Sequence, residues 1–295
     1  DCLLSRGLGD VYKRQVLREL DRSRIEVFFY HCSTGYDDQT HLARQRVEHW
    51  HEVAEWSDER LAVQMDRDGL DLLIDLVGHT STNRAPVLAR RAAPVQAMYL
   101  GYPGTTGLPN VDWILGDSIV TPLELDHLYT ERVFRLPGTV FCFAPETDFP
   151  PLALGERTGP IVFGSINNAP KLNARTLRCY AGVLAAVPQS RLSLRAPSFV
   201  DDAAIEHFRA GLRAAGADLG RVDFHPPLPL PEMMAAFDDI DIVLDSVPYC
   251  GGTTTHQALW MGVPVVTMMG EGFAARMGAS LSLIHISEPT RQEAI

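Results

Sequence analysis

The chain has 295 residues, of which 46% are hydrophobic and 21% charged, and it carries a formal net charge of −11. This composition is typical of a globular protein and excludes a disordered or low-complexity chain. The length favours two domains over one. The acidic balance without a basic patch argues against a nucleic-acid partner. No apolar stretch is long enough to predict a helix that spans a membrane.

The cysteines indicate the cellular compartment, and the lysines point to a candidate binding residue. The five cysteines include no C-x-x-C pair, and their odd number argues against a disulfide framework or a cysteine-based zinc site. The N-terminus lacks the regions of a secretory signal, so we expect a cytoplasmic protein. Lys13 and Lys171 are the only lysines in the sequence. The internal Lys171 stands out because ammonium and guanidinium groups are not interchangeable beside a phosphate; a surface lysine without function is the alternative.

The two ends look foreign to the rest of the sequence. Residues 1–15 show no clear period, and residues 282–295 fit poorly onto the helix predicted before them. Both ends resemble translated adaptor or vector sequence. We therefore expect non-native flanks at 1–15 and 282–295, and a natural protein that is cut at both ends.

The first half alternates strands and helices, which predicts a parallel sheet covered by helices. Strands are predicted at 25–30, 70–77, 95–100 and 113–115, and helices at 39–50, 57–67 and 82–91. Ser57 is expected to cap the second helix. A polar loop at 78–81 contains His79, and a glycine-rich loop occupies 101–107. Because His79 follows a buried strand, it is a candidate for the ligand-binding edge; a polar surface residue is the alternative.

The second half repeats this alternation after a break in composition. Residues 144–160 are rich in proline and glycine, which predicts a linker. Strands are then predicted at 161–164, 191–195, 222–225, 240–245 and 263–268, and helices at 174–187, 201–215, 231–237, 253–262 and 272–281. We therefore predict an α/β protein of two Rossmann-like domains, 16–143 and 161–281, that face each other across a ligand-binding cleft.

The strongest functional motif follows the strand predicted at 240–245, where a Gly-Gly turn leads into a helix that opens with three threonines. Free N–H groups and the positive helix end attract an anion. Gly251 and Gly252 let the backbone approach that anion closely, and Thr253, Thr254 and Thr255 add hydroxyl donors. This predicts a diphosphate site; the alternative is a threonine cap with extra β-branched residues nearby.

A second motif, residues 165–172, follows the first predicted strand of the second half. Loops at that edge of a parallel sheet face the ligand site. Here the Lys171 ammonium would stabilise charge on a departing nucleotide. Asn167 and Asn168 could form a cap or turn, or bind a base or sugar. The alternative is a solvated turn.

Two possible metal motifs are discounted. Asp239 and Asp241 have a D-x-D spacing, but Asp241 is expected to mark the start of a strand. His49 and His51 do not form an H-E-x-x-H motif, and on a helix they point to different faces. The glycine fingerprint of a dinucleotide-binding dehydrogenase is also missing, which argues against that enzyme class.

Several segments resemble one known family. They are DLVGHT at 75–80, RAAPVQ at 91–96, LGYPGTTG at 100–107, NNAPK at 167–171, GGTTT at 251–255 and ALWMGVPVVT at 258–267. The sequence resembles the catalytic region of the O-linked N-acetylglucosamine transferases and their SPINDLY-type relatives. The similarity covers residues 16–281.

This resemblance implies a two-domain glycosyltransferase fold of the GT-B type. It implies a nucleotide-sugar donor, usually UDP-N-acetylglucosamine, bound mainly by the second half, and transfer with inversion to Ser or Thr hydroxyls of proteins. It implies no metal and no cofactor. By the same resemblance, Lys171 stabilises the leaving diphosphate, Asn168 lies beside the nucleotide, and Gly101 and Pro103 belong to a loop near the sugar. The phosphates are held at Gly252, Thr253, Thr254 and Thr255.

The sequence also departs from the family pattern. Gln257 stands where the family commonly has an acidic residue that binds the ribose. Residues 1–15 stand where family members have a strand and a loop with a histidine near the catalytic centre. In family members, helical repeats that recruit acceptor proteins usually precede this catalytic region. Two alternatives remain open: a GDP-fucose-dependent protein O-fucosyltransferase, and a fragment that binds UDP without transferring sugar.

Overall fold

The computed structural model describes residues 10–143, 149–151 and 158–286. They form two compact units with the boundary after residue 145, and residues 284–286 belong to the first unit. Residues 144–148 and 152–157 of the predicted linker lie outside the described residues, as do 1–9 and 287–295 of the predicted flanks. The linker and flank assignments therefore stay predictions.

The first unit is built on parallel strands. Its elements are α1 (Asp10–Glu19), β1 (Phe28–His31), α2 (Asp38–Arg44), β2 (His49–Glu52), α3 (Asp58–Asp68), β3 (Leu72–Asp75), α4 (Ala85–Ala89), β4 (Val95–Met98), β5 (Trp113–Asp117) and β6 (Arg132–Leu136). Strands β1 and β2 pair with each other, and β3, β4, β5 and β6 form a second sheet in that order. All of these pairs are parallel.

Helix α3 illustrates how local sequence sets the element ends. The Ser57 hydroxyl accepts a hydrogen bond from the Arg60 backbone N–H at 3.3 Å, as the sequence predicts. Gly69 ends the helix in a left-handed conformation with φ 63°, which glycine adopts without steric cost. Leu61 and Met65 are one turn apart and buried, so this face packs on the core.

The helix predicted over 39–50 is wrong beyond Arg44. The following segment forms β2, which runs parallel to β1. Phe28 stacks on His49 at 4.1 Å between ring centroids, and Phe29 stacks on Trp50 at 4.5 Å. These cross-strand stacks stabilise the extended form. The two histidines of this segment are two positions apart in a strand, so they lie on one face rather than on different helix faces.

Three other features of the first unit differ from the prediction. Strand β6 is missing from the prediction, because its five residues, RVFRL, are too few and too irregular to show a strand period. Helix α4 is shorter than the predicted 82–91 and carries Pro86 in its first turn. Helix α1 begins at Asp10, within the segment predicted to be a flank.

The second unit contains a complete alternation of strands and helices. Its elements are β7 (Val162–Ser165), α5 (Ala174–Ala186), β8 (Arg191–Arg195), α6 (Asp202–Ala214), β9 (Val222–His225), α7 (Leu230–Ala235), β10 (Ile242–Leu244), α8 (Thr253–Trp260), β11 (Val265–Val266) and α9 (Met277–Ile286), the last as far as residue 283. The prediction is confirmed for each strand and helix, with shifts at the ends. The largest shift is in α9, which begins after a 3-10 turn at Phe273–Ala275 and continues beyond the predicted 281.

The sheet of the second unit has the strand order β11-β10-β7-β8-β9, and every pair is parallel. In chain order the strands are therefore arranged 3-2-1-4-5 from one edge to the other, which is the order of the first five strands of the classic Rossmann sheet. The order reverses between β7 and β10. Ligands of such sheets bind beyond the carboxyl ends of the strands at this reversal point. The loops after β7 and β10, which hold the two predicted motifs, both begin there.

Candidate functional site

The loop after β7 rests on a buried polar network. Ser165 Oγ lies 2.8 Å from Tyr180 Oη and accepts a hydrogen bond from Asn167 Nδ2 at 3.1 Å. All three residues are buried. A 3-10 turn over Ala169–Lys171 follows. Asn168 precedes this turn, is exposed and makes no side-chain capping bond. Asn167 therefore shapes the loop, while Asn168 is accessible to a ligand.

The loop after β10 is bonded to the start of α5. The Val247 carbonyl accepts from Asn173 Nδ2 at 2.7 Å and from Thr176 Oγ1 at 2.9 Å. The Val247 N–H in turn donates to Thr176 Oγ1 at 3.0 Å. These bonds hold the two motif loops side by side. The sequence separation of more than 70 residues between the partners hides this arrangement from local pattern analysis.

Lys171 reaches across from the first loop to the second. Its Nζ donates to the Cys250 carbonyl at 2.9 Å and lies 4.1 Å from the centre of the Tyr249 ring. Burial lowers the pKa of Lys171, whereas the charge of Asp245 and the Cys250 thiol oppose this shift. The ammonium is thus placed at the turn that leads into α8.

Helix α8 begins without a side-chain cap. Its N-cap residue is Gly252, and no side-chain hydrogen bond closes this end. Thr253 Oγ1 is buried and has no hydrogen-bond partner among the described residues. A Cβ on Gly251 would lie 2.6 Å from Thr255 Oγ1 and 2.9 Å from Thr254 Oγ1, so only glycine fits there. Uncapped N–H groups and an unpartnered hydroxyl form a site suited to an anion.

The remaining predicted residue of α8 is Gln257, which is buried with 7% of its surface exposed. The structure therefore brings Lys171 and the Gly251–Gly252 turn together at the start of α8. The roles assigned to these residues stay predictions.

Asp241 is placed as the sequence predicts, because its Oδ2 accepts from the Val162 N–H at 2.7 Å and joins β10 to β7.

In the first unit, the loop that contains His79 packs tightly against the predicted sugar loop. A Cβ on Gly78 would lie 2.3 Å from Tyr102 Cβ, and one on Gly101 would lie 2.4 Å from the Leu76 backbone. The His79 and Tyr102 rings meet edge to face at 5.1 Å. His79 and Gly101 are thus neighbours within this unit. Pro103 follows in the same loop and is half-buried.

A buried carboxylate binds the far end of the predicted sugar loop, residues 101–107. Glu131 is 5% exposed. It accepts hydrogen bonds from Thr105 Oγ1 at 2.7 Å, from the Thr106 N–H at 2.7 Å and from the Thr106 hydroxyl. Sequence reasoning missed Glu131, because nothing in its local pattern indicates a contact with a loop 25 residues away.

The profile of Glycosyl transferase family 41 matches residues 13–155 and 153–290. The chain belongs to this family. This match confirms the resemblance predicted from the motifs. The family is one of glycosyltransferases.

Curated plant proteins are similar to the family 41 chain. The probable UDP-N-acetylglucosamine–peptide N-acetylglucosaminyltransferase SPINDLY of Arabidopsis thaliana is 35% identical over 270 residues, which are 88% of this chain and 29% of that protein. The protein SEC of the same plant, with the same described activity, is 30% identical over 296 residues, covering 95% of this chain and 29% of that protein. The family 41 chain thus spans less than a third of these relatives.

A solved structure supports the fold assignment. A mutant of the Thermobaculum terrenum O-GlcNAc transferase aligns with a TM-score of 0.92 at 33% identity, covering 99% of this chain and 56% of that chain. The predicted GT-B fold class is confirmed by this match and by the parallel sheets. The cleft between the domains stays a prediction.

Asp245 and Tyr249 lie beside the predicted site residues, and the sequence motifs assign neither of them a role. Asp245 is 6% exposed and lies directly after β10. A carboxylate at the end of an apolar strand, at the reversal point of a sheet, is the signal that could have identified it. The contact made by the Cys250 carbonyl has no such signal, because every residue has a backbone carbonyl whatever its type.

Proposed function

We propose that this family 41 chain is the donor-binding and catalytic part of an inverting, metal-independent protein glycosyltransferase. The donor is UDP-N-acetylglucosamine, and the acceptors are Ser and Thr hydroxyls of proteins. The observation that carries the proposal is the position of the Lys171 ammonium at the uncapped start of α8, at the reversal point of the sheet. Positive charge and free N–H donors at that point suit a diphosphate.

In the proposed reaction, the oxygen of an acceptor hydroxyl attacks the anomeric carbon from the side opposite the diphosphate, and the hydroxyl proton passes to solvent water. The bond between this carbon and the β-phosphate oxygen breaks, and UDP leaves with the bonding electron pair. Lys171 and the N–H groups that open α8 stabilise the negative charge that develops on the phosphate. The hydroxyls of Thr253, Thr254 and Thr255 orient the phosphates, and Asn168 contacts the nucleotide.

The acceptors and the setting are part of the same proposal. The relatives are named as peptide N-acetylglucosaminyltransferases, which supports a protein acceptor. Helical repeats elsewhere in the complete gene product would recruit these acceptors. A cytoplasmic location is part of the proposal and is supported by Cys32, Cys142, Cys179 and Cys250, which form no disulfide among the described residues. No helix among the described residues is both long and apolar enough to cross a membrane.

Thermal unfolding with UDP, GDP or NAD in large excess tests the donor assignment. UDP at 100 times its dissociation constant is expected to add about 2.7 kcal/mol to the free energy of unfolding. Stabilisation by GDP alone would favour the fucose-transfer alternative. No stabilisation by any nucleotide, on a cooperatively folding sample, would overturn the proposal. Stabilisation by UDP without transfer to a Ser/Thr peptide would favour the binding-only alternative.

Lys171→Ala provides the residue-level test of the same site. A hydrogen bond to a charged group contributes about 1.5 to 3 kcal/mol, so the variant is expected to bind UDP at least tenfold more weakly. Arg178→Ala is the matched control, because Arg178 is an exposed cation on the neighbouring α5. Equal UDP affinity of Lys171→Ala and the parent chain would refute the diphosphate role.

A further inference from the structure

One peptide group at the candidate site lies between two oppositely charged side chains. The Cys250 carbonyl accepts from Lys171 Nζ at 2.9 Å. The Gly251 N–H, which belongs to the same peptide group, donates to Asp245 Oδ1 at 2.6 Å. A cation on the carbonyl and a carboxylate on the N–H polarise the group in the same direction, and such bonds strengthen each other. The pair therefore fixes the orientation of this peptide plane.

Asp245 is itself held by partners on several segments. Its Oδ1 also accepts from the Ser246 N–H at 2.8 Å, and its Oδ2 accepts from Thr267 Oγ1 at 2.8 Å. A Cβ on Gly278 would lie 2.5 Å from Thr267 Oγ1 and 3.0 Å from Asp245 Oδ2, so the start of α9 closes over this pair. Thus Asp245 joins the end of β10 to the turn before α8 and to the segment after β11.

We infer that Asp245 is a positioning residue for the diphosphate site. It sets the orientation of the Cys250–Gly251 peptide, and its charge keeps the half-buried Lys171 in the ammonium form that a phosphate requires. The inference rests on the proposed function, because Asp245 is inferred to maintain the geometry and charge of the same diphosphate site. It adds a residue that acts through Lys171 and the turn rather than by touching the nucleotide.

The charges around both groups agree with this role. All three partners of the Asp245 oxygens are donors, which favours the carboxylate, although burial raises the pKa of Asp245. Asp245 and the Cys250 thiol are the titratable groups that raise the pKa of Lys171 against the effect of burial, and Lys171 Nζ lies over the Tyr249 ring. Of these, Asp245 supplies the opposite charge. Without that charge, burial would drive Lys171 towards the neutral amine.

Asp245→Asn tests the inference through its pH profile. Asn can still accept from the Gly251 N–H but carries no charge. UDP affinity is to be measured by calorimetry from pH 7 upward, where its phosphate, with a second pKa of about 6, is ionised. The parent is expected to keep its affinity up to pH 9. The variant is expected to bind at least as well as the parent at pH 7, because repulsion is removed, and to weaken about tenfold by pH 9.

Two further variants separate charge from structure. Thr267→Val removes one hydrogen bond but keeps the carboxylate, so its UDP affinity is expected to follow the parent's flat pH profile. Lys171→Arg combined with Asp245→Asn is expected to restore a flat profile, because a guanidinium stays protonated. A variant of Asp245 with the parent's pH profile would overturn the inference, as would loss of the same size at every pH.

Lysine NMR gives a readout that does not depend on UDP. With lysine labelled at Cε, the two lysines of the chain give two resonances, and that of Lys171 is expected to report an ammonium at neutral pH in the parent. Its titration midpoint is expected to fall in Asp245→Asn. If that variant does not fold, a neutral Lys171 in the parent still overturns the inference. A parent that binds no UDP contradicts the proposed function, while the lysine titration tests Asp245 separately.

Discussion

At the scale of single residues, the site depends on short polar side chains that are placed by backbone geometry. Thr253 Oγ1 is buried and has no hydrogen-bond partner in the part of the chain that the structure describes, whereas the hydroxyls of Thr254 and Thr255 lie close to where a Cβ on Gly251 would be. Three hydroxyls in one helical turn exceed what a cap requires, since one oxygen suffices to cap a helix. Their arrangement is consistent with binding several phosphate oxygens.

The contribution of the Thr254 hydroxyl to UDP binding can be tested separately from that of its methyl group. Thr254→Ala is expected to weaken UDP binding about tenfold, because a hydrogen bond to a charged group is lost. Thr254→Ser keeps the hydroxyl and is expected to bind within about threefold of the parent. Titration by calorimetry measures both. Equal affinities of the Ala and Ser variants would contradict a phosphate contact at this position.

At the scale of elements, two loops of the first unit support each other through close backbone packing. The glycines at 78 and 101 have no room for a side chain, and Glu131 bonds the threonines further along the second loop. Such a loop has few alternative conformations. A fixed loop can orient a sugar without the cost of ordering on binding.

A pair of glycine variants tests this packing. In Gly101→Ala the new methyl group would lie 2.4 Å from the Leu76 and Val77 backbone, so the free energy of unfolding of the first unit is expected to fall by about 1 to 3 kcal/mol. In Gly104→Ala the nearest atom is 3.4 Å away on the Tyr102 ring, and a change below about 0.5 kcal/mol is expected. Urea unfolding measures both. An equal loss in the two variants would show that packing does not explain the glycine at 101.

At the scale of the whole molecule, the chain has two compact units, and the predicted nucleotide site lies within the second. Lys171, Asp245 and Cys250 all come from loops of its single five-stranded sheet. The second unit therefore contains the groups proposed to bind a diphosphate. The loop with His79 and Gly101 belongs to the first unit.

Hydrogen exchange with and without UDP tests this division. Saturating UDP is expected to slow exchange in peptides that contain Lys171 and in those that span Asp245 to Thr255, because binding stabilises the state that holds the ligand. Peptides of the four-stranded sheet of the first unit serve as the internal control and are expected to change little. Protection confined to the first unit would place the nucleotide elsewhere.

Elements with local signals could be predicted from the amino-acid sequence alone. Strands β8 and β9 have the predicted bounds, and α3 begins and ends at the predicted Ser57 cap and a glycine. Such signals lie within a few residues of each other, as hydrophobic period, caps and turns do. The motifs also identified the family and placed Lys171 and the threonine-rich turn at the correct edge of the sheet.

Features that depend on distant partners could not be predicted from the sequence and follow from the fold. The segment after Arg44 becomes a strand because it stacks on β1, which overrides its helical appearance. Lys171 meets the Cys250 carbonyl from 79 residues away, and Asp245 gains its place from the turn and from Thr267. Sequence patterns record which residues are apolar or flexible, whereas these contacts arise from strand order, which brings together loops that are far apart in the chain.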